Sequence, residues 1–365
     1  MKLGITGLPN VGKTTLFNAL TNADAESASY PYSTLTANTG VVQVPDRRLD
    51  YLSAMYLPKK TTPATIEFVD IAGLARGASR GEGLGNKFLS YIRMTDALIH
   101  VVRCFDDPNV AHVEGGADPA RDIEIIDLEL ILADVDVVQR RIEKSKKAAK
   151  GEKKYLHEAA LFESILEHLD SGKPARSMEF TPEDMSIVRT SDLISLKPVI
   201  YIANMGEQEF SATDRDSNAY FSAVRELADA EGAVSLAICA KSEQEIAGMP
   251  DEDKELFLAD LGISESGLGR LIRQSYSLLG LISFLTTGSD EVRAWTITSG
   301  TKAQRAAGKI HSDIERGFIR AEIVAFDDLE SAGSMAAAKD AGRVRLEGKE
   351  YIMQDGDVVN FRFNV

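Results

Sequence analysis

Cysteine is scarce in this chain: Cys104 and Cys239 are the two in 365 residues, and they lie far apart in sequence. That excludes a disulfide framework and leads us to expect core thiols in a reducing, cytoplasmic compartment. No apolar run approaches the about 20 residues a membrane helix needs, so no membrane role is expected. Nothing reads as a signal peptide, because Met1-Lys2 runs directly into the strand-like Leu3-Gly4-Ile5-Thr6. Internal repeats and low-complexity tracts are missing too. Positive charge is in deficit, with a net charge of −15. Global repulsion of phosphates therefore excludes a generic nucleic-acid coat, and no DNA partner is expected.

What is present is ordinary globular material, 44% apolar and 27% charged, in a chain long enough for two or three domains. Candidate strands are Leu3–Thr6, Thr39–Val44, Ala64–Val69, Ala97–Val102, Pro198–Ala203 and Ala233–Cys239. Such β-rich apolar runs, separated by helical stretches, predict an α/β doubly wound, mostly parallel sheet. Between Asp122 and Leu196 the pattern turns helical. Leu128, Ile131, Val135, Val138 and Ile142 recur every three or four residues, as do Tyr155, Ala159, Phe162, Leu166 and Leu169 beyond the tip Lys150-Gly151-Glu152. Two such stripes predict an inserted antiparallel helical hairpin. Thr181-Pro182 signals a third helix start. After about Gly280, short strands at Trp295–Ile297, Ile319–Val324, Arg343–Leu346 and Val358–Phe363 surround a helix Lys302–Ile310, which reads as a small α+β domain.

Gly7-Leu8-Pro9-Asn10-Val11-Gly12-Lys13-Thr14 fits G-x-x-x-x-G-K-[ST] between a strand and a helix. Glycines let successive backbone N–H groups face phosphates, and the helix N-terminus adds favourable dipole. Asn10, Val11, Gly12, Lys13, Thr14 and Thr15 are the expected nucleotide contacts there. Lys13 is expected to bridge the outer phosphates and Thr14 to ligate Mg²⁺. Val69-Asp70-Ile71-Ala72-Gly73 ends the third candidate strand, so Asp70 is expected to hold Mg²⁺ and the Gly73 N–H to sense the γ-phosphate. In Tyr30-Pro31-Tyr32-Ser33-Thr34 a second hydroxyl is expected on Mg²⁺, Thr34 first and Ser33 as the alternative. Leu74 stands where related switches place a water-orienting glutamine, which predicts slow turnover.

Asn204-Met205-Gly206-Glu207 follows a strand at the place where G-proteins carry N-K-x-D. That aspartate accepts hydrogen bonds from guanine N1–H and the 2-amino group, which adenine does not offer. Glu207 is one methylene longer, Met205 is apolar instead of lysine, and Asn204 keeps access to the N7 edge. The segment therefore predicts relaxed or adenine-favouring specificity, with Cys239-Ala240-Lys241 as a supporting base loop.

Together, G-L-P-N-V-G-K-T, Y-P-Y-S-T, D-I-A-G-L and N-x-x-E resemble the YchF/Obg-like ATPase family over nearly the whole chain. Met205-Gly206 departs from the commonest filling of that last motif. The resemblance implies an Obg-type nucleotide domain at 1–121 and 197–279, an inserted helical domain at 122–196 and a β-grasp-like TGS domain at 280–365. It also implies ATP preferred over GTP, Mg²⁺ dependence, a cytoplasmic location and association with ribosomes. By the same resemblance Asn10 can help hold a monovalent cation such as K⁺, and His112 can orient water. Residues Arg140–Lys154 carry eight basic side chains against two acidic ones at the predicted hairpin tip. That segment and the TGS domain, with Lys302, Arg305 and Lys309 along one helix, are the expected contacts to ribosomal RNA. Two other readings stand beside the ATPase: a GTPase of the same architecture, and a nucleotide-gated RNA- or ribosome-binding scaffold whose hydrolysis is incidental.

Overall fold

The computed structural model describes residues 1–22, 38–71, 84–211, 215–260 and 265–364. Its strands are β1 (Lys2–Thr6), β2 (Thr39–Gln43), β3 (Lys60–Thr62), β4 (Thr65–Asp70), β5 (Ala97–Cys104), β6 (Val199–Met205), β7 (Val234–Ile238), β8 (Leu281–Thr286), β9 (Glu291–Thr298), β10 (Phe318–Ala325), β11 (Arg345–Glu347) and β12 (Asp357–Phe363). The helices used below are α1 (Lys13–Asn22), α2 (Arg47–Tyr56), α3 (Leu84–Arg93), α4 (Pro119–Ala149), α5 (Lys154–Asp170), α6 (Pro182–Val188), α7 (Glu207–Ser211), α8 (Ala219–Ala230), α9 (Ala240–Ala247), α10 (Asp251–Asp260), α11 (Gly267–Leu278) and α12 (Ala303–Ile310). Contacts divide the chain into two compact units: Met1–Val41 with Glu67–Leu271, and Val42–Ile66 with Ile272–Val365.

The first unit is built on a sheet of order β2-β4-β1-β5-β6-β7. β1 pairs in parallel with both β4 and β5, and β5-β6-β7 continue in parallel. β5 and β6 are buried at every position, as expected of parallel strands covered on both faces. β1 lies between β4 and β5, so the strand order reverses there. The carboxyl ends of β1 and β4 lie beside that switch point, where α/β sheets bind ligands.

The predicted helical hairpin is present as α4 and α5, joined across Lys150–Lys153. Ile131, Val138 and Ile142 meet Phe162, Ile165 and Leu169 in one buried cluster. Leu128, which the heptad-like count placed in that seam, is instead 50% exposed. Asp118 caps α4 through the Arg121 N–H, and Thr181 caps α6 through the Asp184 N–H with Pro182 next in line. A buried ion cluster roots the hairpin in the sheet. The Arg176 guanidinium donates to both Asp127 carboxylate oxygens at 2.7 Å, to the Tyr201 hydroxyl at 2.9 Å and to Glu231 at 2.9 Å. Nearby, the buried Asp134 carboxylate accepts the Ile194 and Ser195 N–H groups, pinning the returning chain.

The second unit has a sheet of order β11-β10-β12-β8-β9-β3. β12 and β8 are parallel at its centre, flanked by antiparallel neighbours. α12 lays Ala303, Ala306 and Ala307 on Phe284, Ile297, Ile323 and Phe361. The sequence division put residues 42–66 with the nucleotide domain, whereas they group with the C-terminal unit, only their ends in β2 and β4 belonging to the first sheet. The reason is β3, a polar segment that adds to the sheet edge along Glu291–Arg293. Arg48, held by Asp46 and Asp355, fixes α2 to the same unit. Among the described residues no helix is long and apolar enough to cross a membrane.

Candidate functional site

The loop between β1 and α1 has the backbone that its glycines permit. Gly7 has φ +146°, and a Cβ there would meet the Val101 carbonyl oxygen at 2.4 Å. Gly12 has φ +98°, and a Cβ would lie 2.3 Å from the Asn204 amide nitrogen. Both are therefore glycine-only positions. Asn10, at φ +62°, takes the left-handed conformation that its short polar side chain tolerates.

Three chemistry-bearing side chains converge below the loop. Lys13 is 7% exposed, and its ammonium donates to the Leu8 carbonyl at 2.6 Å. Burial lowers its pKa to about 8, with the Asp70 charge opposing. The Thr14 hydroxyl donates to Asp70 Oδ2 at 3.3 Å. Asp70 is pushed above the usual carboxylate range by burial, against the pull of Lys13 and Thr14. A hydroxyl and a carboxylate side by side form a hard-oxygen pair that suits Mg²⁺, with Lys13 next to them for phosphate. The remaining expected members of this centre, Gly73 and Thr34 with its alternative Ser33, lie outside the described residues, as does Leu74. Val11 is buried and Thr15 half-buried on the same loop.

The base-side segments are tied to that loop by Asn204. Its amide nitrogen donates to the Val11 carbonyl at 2.8 Å, and its oxygen accepts the Ala240 N–H at 3.0 Å. One amide hydrogen and one lone pair remain for a ligand. Sequence reasoning treated Asn204 as a base reader; the structure makes it a strut between the two loops as well. Glu207, opening α7, accepts from Lys241 at 2.8 Å, and both side chains are exposed. Met205 is buried in register with Cys104, and Cys239 is buried beneath Ser242. Burial drives the Cys104 thiol far up, so it stays protonated. His100, opposite Thr6 on β5, is buried, which lowers its pKa to about 3 and leaves it neutral.

His112 lies in the loop after β5, and this loop touches the phosphate loop through a 3.1 Å bond from Asn10 to the Ala111 carbonyl. The His112 side chain is 4% exposed, with Nε2 at 2.8 Å from Asp122 and Nδ1 accepting the Glu114 N–H at 3.0 Å. Two residues that sequence reasoning missed organise this loop. Arg103, 3% exposed, collects the carbonyls of Phe105, Asp107 and Val110; Asp122 grips the histidine. A charged residue ending an otherwise apolar strand was the available signal for Arg103. Nothing in the spacing pointed to Asp122. Among the described residues, no group of three or more His, Cys, Asp or Glu side chains is placed to hold a metal.

Known proteins match this arrangement from end to end. A family model described as 50S ribosome-binding GTPase matches residues 2–132, and another, described as a protein of unknown function (DUF933), matches residues 281–364. The ribosome-binding ATPase YchF of Bacillus subtilis (strain 168) is 55% identical over 363 residues, 99% of each chain. The same-named protein of Escherichia coli O157:H7 is 49% identical over 365 residues, 100% of this chain and 99% of its own. The solved structure of the Schizosaccharomyces pombe YchF GTPase superposes with a TM-score of 0.88 at 38% identity, covering 99% of this chain and 97% of that one. With a glycine-bent phosphate loop, a Lys13–Thr14–Asp70 centre and relatives of this identity along its full length, the chain belongs to the YchF family.

Proposed function

We propose that the protein binds and hydrolyses ATP with Mg²⁺, slowly, as a switch that acts on ribosomes in the cytoplasm. The convergence of Lys13, Thr14 and Asp70 beneath the glycine-bent loop carries this reading. In it, residues 1–41, 67–121 and 197–271 take the nucleotide, while the hairpin at 122–196 and the C-terminal unit face RNA. Asn10 to Thr15 cradle the phosphates, and Lys13 stabilises charge on the transferred group. Thr14, Asp70 and Thr34 hold Mg²⁺, which neutralises the phosphate oxygens when bound. The Gly73 N–H reports the γ-phosphate, and His112, with both ring nitrogens engaged, contributes by fixing the loop that meets Asn10. Asn10 Oδ1 is the donor available to a monovalent cation.

Asn204, Met205, Glu207, Cys239 and Ala240 line the base site, and Glu207 argues for adenine. Ribosome binding is supported by the names of the bacterial relatives and by the hairpin tip. Arg140, Lys144, Lys147, Lys150 and Lys153 are exposed there without acidic partners among the described residues, whereas Arg141, Lys146 and Lys154 are ion-paired. In the C-terminal domain Lys302 and Arg305 are neutralised by Glu350 and Glu315, so the tip is the stronger cationic surface. The relative from Schizosaccharomyces pombe is called a GTPase, which keeps GTP as the second reading. Calorimetry with ATP and GTP, with and without ribosomes, separates them. Tighter ATP binding supports the proposal, and a clear GTP preference would overturn its purine assignment.

A further inference from the structure

The geometry points to Asp122 as a positioning residue for hydrolysis, acting from the hairpin helix through His112 on the phosphate loop. This rests on the reading of the β1–α1 loop as the nucleotide site. His112 Nδ1 accepts the Glu114 N–H, so it carries no proton; Nε2 therefore holds the proton and donates it to Asp122 Oδ2. Both side chains are buried, at 4% and 2% exposure, which leaves water little part in the pair.

The other Asp122 oxygen is also used. Oδ1 accepts from Arg121 at 2.9 Å, and Arg121 in turn donates to the Gly116 carbonyl at 2.6 Å and the Glu114 carbonyl at 3.4 Å. Two consecutive residues in the first turn of α4 thus grip residues 112–116 from below. Arg103 fixes the start of the same loop by its three carbonyl contacts. Between these two anchors sits Ala111, whose carbonyl receives Asn10 of the phosphate loop. Asp122 itself contacts His112 and Arg121. It sets the tautomer and place of His112, and so the carbonyl that Asn10 meets.

Three variants and one spectrum test this. His112→Ala and Asp122→Asn should each slow ATP turnover by about tenfold or more, the scale expected when a reacting geometry shifts by a fraction of an ångström. Affinity for a non-hydrolysable ATP analogue should hold in both. The double variant should be no slower than the slower single one, because both act through one contact. Multiplying losses, or wild-type turnover in Asp122→Asn, would overturn the assignment. Nitrogen NMR of His112 in the unaltered protein gives a reading that needs no variant to fold: a proton on Nε2 supports the proposal, and one on Nδ1 refutes it. Unchanged hydrolysis in Lys13→Ala would instead sink the phosphate site, while the tautomer result would stand by itself.

Discussion

The Thr14 hydroxyl donates to the Asp70 carboxylate across 3.3 Å, joining the first turn of α1 to the end of β4 over 56 residues of sequence. Two oxygens so placed define where a hard cation would sit. Asp70→Asn should raise the Mg²⁺ concentration for half-maximal turnover by about 10- to 100-fold, a usual cost of disturbing a supporting ligand. A Mg²⁺ titration of ATP hydrolysis reads this, and an unshifted midpoint would remove Asp70 from the metal site.

Lys13 yields a pH prediction. Burial holds its pKa at about 8, so above that pH the free protein increasingly carries a neutral lysine. Phosphates favour the charged form, hence nucleotide binding above pH 8 should take up a proton. Affinity should fall by up to about tenfold per pH unit there and level off below it. Calorimetry in buffers of differing ionisation heat measures the uptake directly. Lys13→Ala should show none.

Arg176 is the sole cation contacting the buried carboxylates of Asp127 and Glu231 among the described residues. Arg176→Met should cost about 3–5 kcal/mol by leaving those charges uncompensated. Burial already holds the Asp127 carboxyl above the usual carboxylate range against the pull of Arg176, and without the arginine it rises further. The folded state then binds more protons, and the lost stability returns as pH falls. Urea melts at about pH 5 and about pH 8 should show the smaller deficit in acid; an equal deficit at both would mean the cluster does not work by charge.

The hairpin tip predicts salt dependence. Replacing Lys144, Lys147, Lys150 and Lys153 by glutamine should weaken ribosome binding. It should also flatten the slope of log affinity against log salt by about 0.7 to 0.9 for each phosphate that is no longer neutralised. Co-sedimentation across a salt series decides it, and an unchanged slope would place the RNA-binding surface elsewhere.

The phosphate loop was legible because its requirements are local: eight consecutive residues impose the backbone, and a strand and a helix flank them. The hairpin was legible through its three-four spacing, although Leu128 shows that the count alone does not say which flank of a helix meets its neighbour. β8, an apolar run at the expected domain edge, and β3 were missed for different reasons. β3 is Lys60-Thr61-Thr62, polar and short, and becomes a strand by pairing with residues more than 200 positions away. Asp122 and Arg176 were unreadable for a related reason. Charged residues are expected on surfaces, and only the assembled core shows which of them are buried with partners.

The length of α4 has a mechanical consequence. Its 31 residues extend about 46 Å at ~1.5 Å each, from the grip on His112 to the basic tip. Asp127 and Asp134 anchor its first half, so the lever is the stretch from Asp134 to Ala149, about 22 Å, over which a tilt of about one degree displaces the far end by roughly 0.4 Å. A movement too small to disturb the packing around Asp134 is therefore magnified into one that a rigid partner at the tip would feel. Force applied at the tip is multiplied on its way back by the same leverage.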